Sequence, residues 1–325
     1  MGAFIVRRLL NYLILTFIAA SLAYLCASWA FHPKDMYLQK NPPTPLHVMY
    51  NLLNERNSNP DKSVWGRYWN WLSGLAHGDF GKTWDLASVN KEFGIRVWVT
   101  VRLVTISAVL SAIVGILVGS YQAVRQYKAA DHAITFASYV IFAAPIFVIG
   151  PFLKLLAVQY NKATNTQTFV YVGELTPGTT GFWNQLVDRA DHLLLPSIGL
   201  LLINIAFYSR YQRSQMLDVI GSDFLRTARA KGLRKGKAIR RHGIRTAVIP
   251  VMTLVTFSTI TTFAGAIITE NVFNWNGLGA WFTDATSKAD VNSVAAISIF
   301  TAILVLIAGL LSDIVTAALD PRVRL

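Results

Sequence analysis

Six stretches of this chain, residues 9–31, 97–124, 133–156, 192–211, 246–268 and 293–317, are apolar over at least the length of helix that crosses a bilayer. A hydrocarbon core about 30 Å thick takes about 20 helical residues. Lipid offers no partner to an exposed N–H or C=O, so a spanning segment must satisfy its own backbone. Composition agrees: 53% of the residues are hydrophobic and 14% are charged, where a soluble domain carries nearer a quarter charged. The expected fold is an all-α polytopic membrane protein with six transmembrane helices. The first stretch is too long for a signal-peptide hydrophobic region and lacks a small-residue cleavage site, so a retained signal-anchor helix is expected.

Lys and Arg set the orientation. With the N-terminus inside and the helices alternating, the inner segments are residues 1–8, 122–132, 210–245 and 318–325. They hold 17 of the 30 basic and 4 of the 17 acidic residues, which leaves the rest of the chain electrically neutral. All of the net charge of +13 then lies on one side, as the positive-inside rule requires, with both termini cytoplasmic. The same distribution argues against a nucleic-acid partner, because short juxtamembrane loops already account for the charge. Cys26, the one cysteine, is expected to be a small apolar filler in the first helix.

Between the first two apolar stretches, residues 32–96 open with turn formers (His32-Pro33-Lys34-Asp35, then Asn41-Pro42-Pro43-Thr44-Pro45). Trp65, Tyr68, Trp69 and Leu72 follow at i, i+3, i+4 and i+7. That spacing predicts a short helix, either in the headgroup zone or as a lid packed on the outer helix ends. Residues 157–191 are polar and without period. In residues 271–291, Asn276-Gly277 and Gly279 permit positive φ, which predicts a tight re-entrant or capping loop. Residues 76–83, Ala-His-Gly-Asp-Phe-Gly-Lys-Thr, nearly spell a phosphate-binding loop. Alanine replaces its first glycine, no apolar strand precedes it, and the orientation places it outside. No zinc-protease, paired-cysteine or nucleophile-elbow motif is present.

The most distinctive segment runs from Asp223 to Pro250, DFLRTARAKGLRKGKAIRRHGIRTAVIP, with nine Lys or Arg and one Asp. Ser222 or Asp223 can cap a helix whose narrow apolar face is Phe224, Leu225 and Ala228. Gly232 followed by Leu233 suits a left-handed C-terminal cap after about two turns. A second basic helix over residues 234–245 would lead to Pro250, where the next transmembrane helix starts or kinks. Taken alone, the segment has two readings: a solvated basic loop that only fixes topology, or a rigid knob that seats in a groove on another protein.

Arg226-Thr227-Ala228-Arg229-Ala230-Lys231-Gly232, with the following stretch to Pro250, resembles the coupling loop of permease subunits of ATP-binding-cassette importers, in particular the oligopeptide/dipeptide permease family. Residues 78–83 resemble that family's outer motif before its second helix. Residues 270–279, Glu-Asn-Val-Phe-Asn-Trp-Asn-Gly-Leu-Gly, resemble its Glu-x-Val-Phe…Pro-Gly-Leu-Gly motif with Asn276 in place of proline, and Leu319-Asp320-Pro321-Arg322-Val323-Arg324 its C-terminal signature. The resemblance covers essentially the whole chain and implies a type I ABC importer permease-like fold. Residues 1–96 would be the first helix plus an extracytoplasmic segment, and residues 97–325 the core permease domain with a cytoplasmic coupling loop at 215–245. Also implied are a second homologous permease, cytoplasmic ABC ATPase subunits, an extracytoplasmic substrate-binding protein and membrane lipid as partners. This chain would have no catalytic residue and no metal or cofactor of its own, with ATP and Mg on the ATPases. Asp223, Arg226, Thr227, Ala228, Ala230, Gly232 and Leu233 are the implied coupling residues.

The translocation path is less legible. Thr253, Thr256 and Thr259 form an i, i+3, i+6 line, in a helix that also carries Ser258, Thr261 and Thr262. The line either faces a wet cavity or bonds back to helix carbonyls. Glu270 and Arg102 are expected near the outer ends of their helices, where a gate contact between them is one reading. Asp313 is a third intramembrane ionisable residue. The same machine importing nickel chelates or glutathione is an alternative to peptide. A free-standing secondary transporter would need acidic relays and inverted repeats that the sequence lacks, and a membrane enzyme would need a catalytic cluster.

Overall fold

The computed structural model describes the backbone of residues 2–319, and side chains except those of residues 2–9, 260–261, 264–265 and 312–319. Residues 320–324 of the C-terminal motif and the side chains of Thr261 and Asp313 lie outside the described residues. The helices in chain order are α1 (Gly2–Ala30), α2 (Asp35–Leu38), α3 (Leu46–Glu55), α4 (Val64–Ala76), α5 (Val89–Val124), α6 (Ala129–Ala143), α7 (Ile146–Thr164), α8 (Phe182–Ile220), α9 (Asp223–Ala230), α10 (Lys235–Ala238), α11 (Ile244–Phe273), α12 (Leu278–Ser287) and α13 (Val291–Leu319). Among the described residues the only β pairing is a single bridge between Lys82 and Ser88. Four helices are long and apolar enough to cross a membrane, or five if the bent pair α6–α7 counts as one. α11 covers the stretch read as the fifth span but contains undescribed side chains and does not enter that count.

The stretch at 133–156, expected to be one continuous helix, is broken. α6 and α7 meet at 107°, because Pro145 pushes Ala144 into extended backbone (φ −85°, ψ 120°) and itself opens α7. The polar segment 157–191 is shorter than its composition suggested: α7 runs on to Thr164 and α8 begins at Phe182. Cys26 is exposed on α1 rather than filling a core.

The chain divides into two compact units, Met1–Thr100 with Asn276–Ile307, and Val101–Trp275 with Ala308–Leu325. In the first, Tyr24 of α1 stacks on Trp71 of α4 at 4.5 Å and donates its hydroxyl to the Arg67 carbonyl. Ala20, Tyr68, Ala285, Val294 and Ile299 complete that core. The predicted aromatic helix is present, but its faces divide differently from the sequence line. Tyr68 and Trp71 are buried, whereas Trp65 and Trp69 are each 63% exposed. The near-phosphate loop folds onto itself: Phe80 N–H donates to Asn90 Oδ1, Gly81 N–H to Asp79 Oδ1 and Thr83 N–H to the Ala87 carbonyl. Amides that a phosphate would require are already bonded. Residues 278–287, expected as loop, form α12. The left-handed residue before it is Asn274 (φ 53°), not Gly277 or Gly279, since the backbone turns where α11 ends.

In the second unit α8 is the spine, packed against α6, α7 and α11. Tyr208 of α8 is fully buried among Ala112, Val251 and Val255 and shares a hydrogen bond with Ser258. α11 continues through Pro250 without a break, so the proline neither starts nor stops the helix. The basic stretch read as a helix over 234–245 is helical from Lys235 but is not a separate element: residues 235–273 run on as α10, a five-residue π turn (Ile239–Gly243) and α11.

Candidate functional site

The segment 223–233 forms the short helix closed by glycine that the sequence patterning predicts. Ser222 stands at the N-cap of α9 in extended backbone, yet makes no side-chain cap; its hydroxyl donates to the Val219 carbonyl at 2.6 Å. The helix lasts eight residues. Gly232 at φ 91° closes it, with Gly232 N–H donating to the Arg229 carbonyl at 2.9 Å and Leu233 N–H to the Ala228 carbonyl at 3.3 Å. That pair of bonds is a Schellman cap, which calls for a left-handed residue and hence glycine. Ala228 and Leu233 both pack, partly buried, against the apolar cluster that holds Leu225.

α9 is held by one face. Leu225 is 3% exposed and packs among Met216, Ala238, Ile239 and Ala247. At about 25 cal/mol per Å² a buried leucine stabilises such a contact by roughly 2 kcal/mol, enough to orient a two-turn helix that would not persist alone. The remainder of α9 faces outward. Asp223, Arg226, Thr227 and Ala230 are exposed, Ala228 is half-buried, and the Arg226–Asp223 contact at 3.5 Å joins side chains 74% and 94% exposed, a geometry of little energetic weight. Phe224, placed by the sequence on the packed face, is instead 44% exposed. An apolar ring on the outer side of a docked helix is a feature that sequence spacing assigned to the wrong face, because only the packing of Leu225 fixes the helix rotation. Around it, Arg229, Lys231, Arg234, Lys235 and Lys237 are all exposed.

The part of α8 from which α9 departs is braced by an ion pair between a buried carboxylate and a half-buried guanidinium. Asp131, 2% exposed at the start of α6, accepts from Arg213 of α8 through Nε at 2.7 Å and Nη2 at 2.8 Å, and from Tyr127 N–H at 3.0 Å. Arg213 is fixed in the two-pronged geometry for which a guanidinium is suited.

The residues read as a translocation path are distributed along α11 and around its end. Thr253, Thr256 and Thr259 each donate to a carbonyl four residues back, at 3.5, 2.9 and 3.0 Å. They are all half-buried. Thr262 bonds both the Ser258 carbonyl and Asn204 of α8. Arg102 donates to Glu174 at 2.7 Å, a partner in the 165–181 loop that the sequence did not suggest. Glu270 is fully buried, and the Trp275 N–H donates to its carbonyl at 2.8 Å. The end of α11 is further tied by Lys154 Nζ to the Val272 carbonyl at 2.8 Å and by Gly173 N–H to the Phe273 carbonyl at 2.9 Å. Cationic and N–H donors at a helix C-terminus satisfy the carbonyls that the helix leaves open.

A family model described as binding-protein-dependent transport system inner membrane component matches residues 112–325. The oligopeptide transport system permease protein OppB of Mycobacterium tuberculosis is 42% identical over 325 residues, covering 100% of this chain and 99% of that protein. The dipeptide transport system permease protein DppB of Escherichia coli is 33% identical over 278 residues, 81% of this chain and 82% of that protein. The oligopeptide transport system permease protein AppB of Bacillus subtilis is 31% identical over 327 residues, 100% of each. Among solved structures, an inward-facing form of the MetNI methionine ABC transporter superposes with a TM-score of 0.54 at 15% identity, covering 70% of this chain and 96% of that one; a likeness at that identity speaks for the fold alone. With full-length relatives above 30% identity and a family model over most of its length, this multi-pass membrane chain belongs to the binding-protein-dependent transport system inner membrane component family.

Proposed function

We propose that this chain is a permease subunit of an ATP-driven importer of peptides and that α9 with its glycine cap is the element seated against a cytoplasmic ATPase subunit. The peptide cargo rests on the relatives, whose names give oligopeptide and dipeptide transport. The seat rests on one observation: α9 is fixed on its inner side by Leu225 and closed by Gly232, while Phe224 and Arg226 face outward. A rigid, externally faced helix transmits a push to the helices it is anchored on, here the end of α8 and the run 235–247. Phe224 supplies an apolar anchor of the kind that dominates docking energies, and the surrounding Lys and Arg favour an acidic partner surface.

In this reading a second, homologous permease completes the path, an extracytoplasmic binding protein delivers the peptide, and ATP and Mg are bound by the ATPases. Thr253, Thr256 and Thr259 line the path: a hydroxyl that donates to its own helix still offers lone pairs to a passing peptide N–H. Arg102 and Glu270 belong to its outer closure, with Glu174 as a further member.

The test is uptake against ATP hydrolysis in the purified complex. Phe224→Ala, Gly232→Val and Ala228→Glu are expected to leave the membrane level of the protein unchanged and to abolish peptide uptake, with hydrolysis no longer responding to the loaded binding protein. Phe224 is exposed, so its truncation tests docking without disturbing the fold. Normal uptake by all three variants would remove the coupling role.

A further inference from the structure

The depth of α4 in the bilayer can be counted along α1. Arg7 and Arg8 lie near the start of α1, and charged side chains near a helix end stay at the edge of the hydrocarbon. From Arg8, a core of about 30 Å takes about 20 residues to cross, to near Ser28. Trp29 follows and is exposed, as suits an aromatic at the far interface. α4 meets α1 short of that point. The Tyr68 hydroxyl shares a hydrogen bond with that of Ser21 at 2.9 Å, the Tyr24 hydroxyl donates to the Arg67 carbonyl, and Tyr24 stacks on Trp71. Ser21 and Tyr24 lie roughly 20 and 24 Å along the helix from Arg8, about 6–10 Å inside the far edge of the core. Were α4 in water, residues 9–19, which precede the core shared with α4 at Ala20, would have to span the bilayer. They reach about 17 Å. An arginine stem reaches back by several Å at most, which does not close a gap of about 13 Å. Tilting α1 lowers its reach and sets α4 deeper.

The outward face of α4 suits that depth. Trp65, Trp69 and Ser73 follow at i, i+4 and i+8 and are exposed, with Gly66, Asn70 and Ala76 beside them. None of these carries a charge, and Arg67, the one charged residue of α4, is buried. Exposed charge resumes only beyond the helix, at Lys62 before it and Asp79 after it. A protein partner recognised by charge has nothing to meet here. Indole rings, apolar in body with one polar N–H, settle at the boundary of headgroups and acyl chains. Helices that lie in that boundary bury their apolar face by about 5–10 Å, which matches the depth counted along α1.

We propose that α4 is an interfacial helix seated in the leaflet opposite Arg7 and Arg8, with Trp65 and Trp69 in phospholipid at the headgroup boundary. The segment between α1 and α5 is then held to the bilayer by lipid as well as by its packing on α1. This anchoring is independent of the coupling role of α9 and of the cargo. In a Cys26→Ser background, the full chain in phosphatidylcholine nanodiscs would carry a nitroxide at Trp65→Cys, Trp69→Cys or Lys62→Cys in turn. Relaxation by oxygen, which concentrates in lipid, is compared with relaxation by a water-soluble nickel chelate. The oxygen-to-nickel ratio at 65 and 69 is expected to be severalfold that at 62. The unsubstituted chain, irradiated with a phosphatidylcholine bearing a diazirine at the top of its acyl chain, is expected to carry lipid adducts within residues 64–76. A ratio at 65 and 69 equal to that at 62 places the face in water, and exclusion of both reagents places it under protein. Either result, or no adduct within residues 64–76, overturns the proposal.

Discussion

Gly115 and Gly119 stand one turn apart on α5, where the backbone of α8 comes closest. A Cβ added at Gly119 would lie 2.3 Å from the Ser209 carbonyl oxygen and 2.8 Å from Gln212 Cβ, and one at Gly115 would lie 2.6 Å from Tyr208 Cβ. Backbone atoms cannot rotate out of the way, so the two helices must separate; small residues on facing helices are the usual means of close approach in membranes. Gly119→Ala is expected to cost about 1–3 kcal/mol, the range for overpacking, and to lower the thermal unfolding midpoint in detergent. Gly94→Ala, on the same helix with nothing within 4 Å, should be neutral or slightly stabilising, because alanine is the better helix former. Equal midpoints for the two variants would show that α5 and α8 do not depend on that contact. Gly232 was legible in the sequence, since a glycine and a leucine after a short helical pattern define a local cap. Gly119 was not, because its constraint comes from a residue 90 positions away. The same holds for the partnership of Arg102 with Glu174.

At the level of elements, apolar length was sufficient to find the long helices, and the proline rule would have found the break at Ala144–Pro145 had it been weighed against the hydropathy. α12 escaped because its ten residues are mixed in polarity and its helical form comes from burying Leu278, Trp281 and Ala285, a tertiary effect that outweighs local preference. The junction of α6 and α8 offers a test of element placement. Removing one partner of a partly buried ion pair leaves the other uncompensated, whereas removing both leaves no unpaired charge. Asp131→Asn is therefore expected to lower the unfolding midpoint more than the double variant Asp131→Asn/Arg213→Gln does. A double variant that falls by the sum of the two single changes would mean the pair contributes no coupling, and that α6 is positioned by apolar contacts alone.

For the molecule as a whole, one asymmetry carries the functional reading: the net charge of +13 resides in segments that share a side when six helices alternate. Lys and Arg are held on the cytoplasmic side during insertion, so residues 223–245 would face the cytosol and residues 32–96 the exterior. Lys62 and Lys237 are both exposed and lie in these opposite regions. In a Cys26→Ser background, a cysteine at position 62 is expected to react with a membrane-impermeant maleimide in spheroplasts, and one at position 237 only after the membrane is permeabilised. The assignment has a consequence beyond topology, because an ATPase bound to α9 must meet it in the compartment that holds ATP. Labelling of position 237 from outside would move α9, its basic surroundings and Phe224 away from any cytoplasmic motor. It would leave the family membership standing and the proposed seat without a partner.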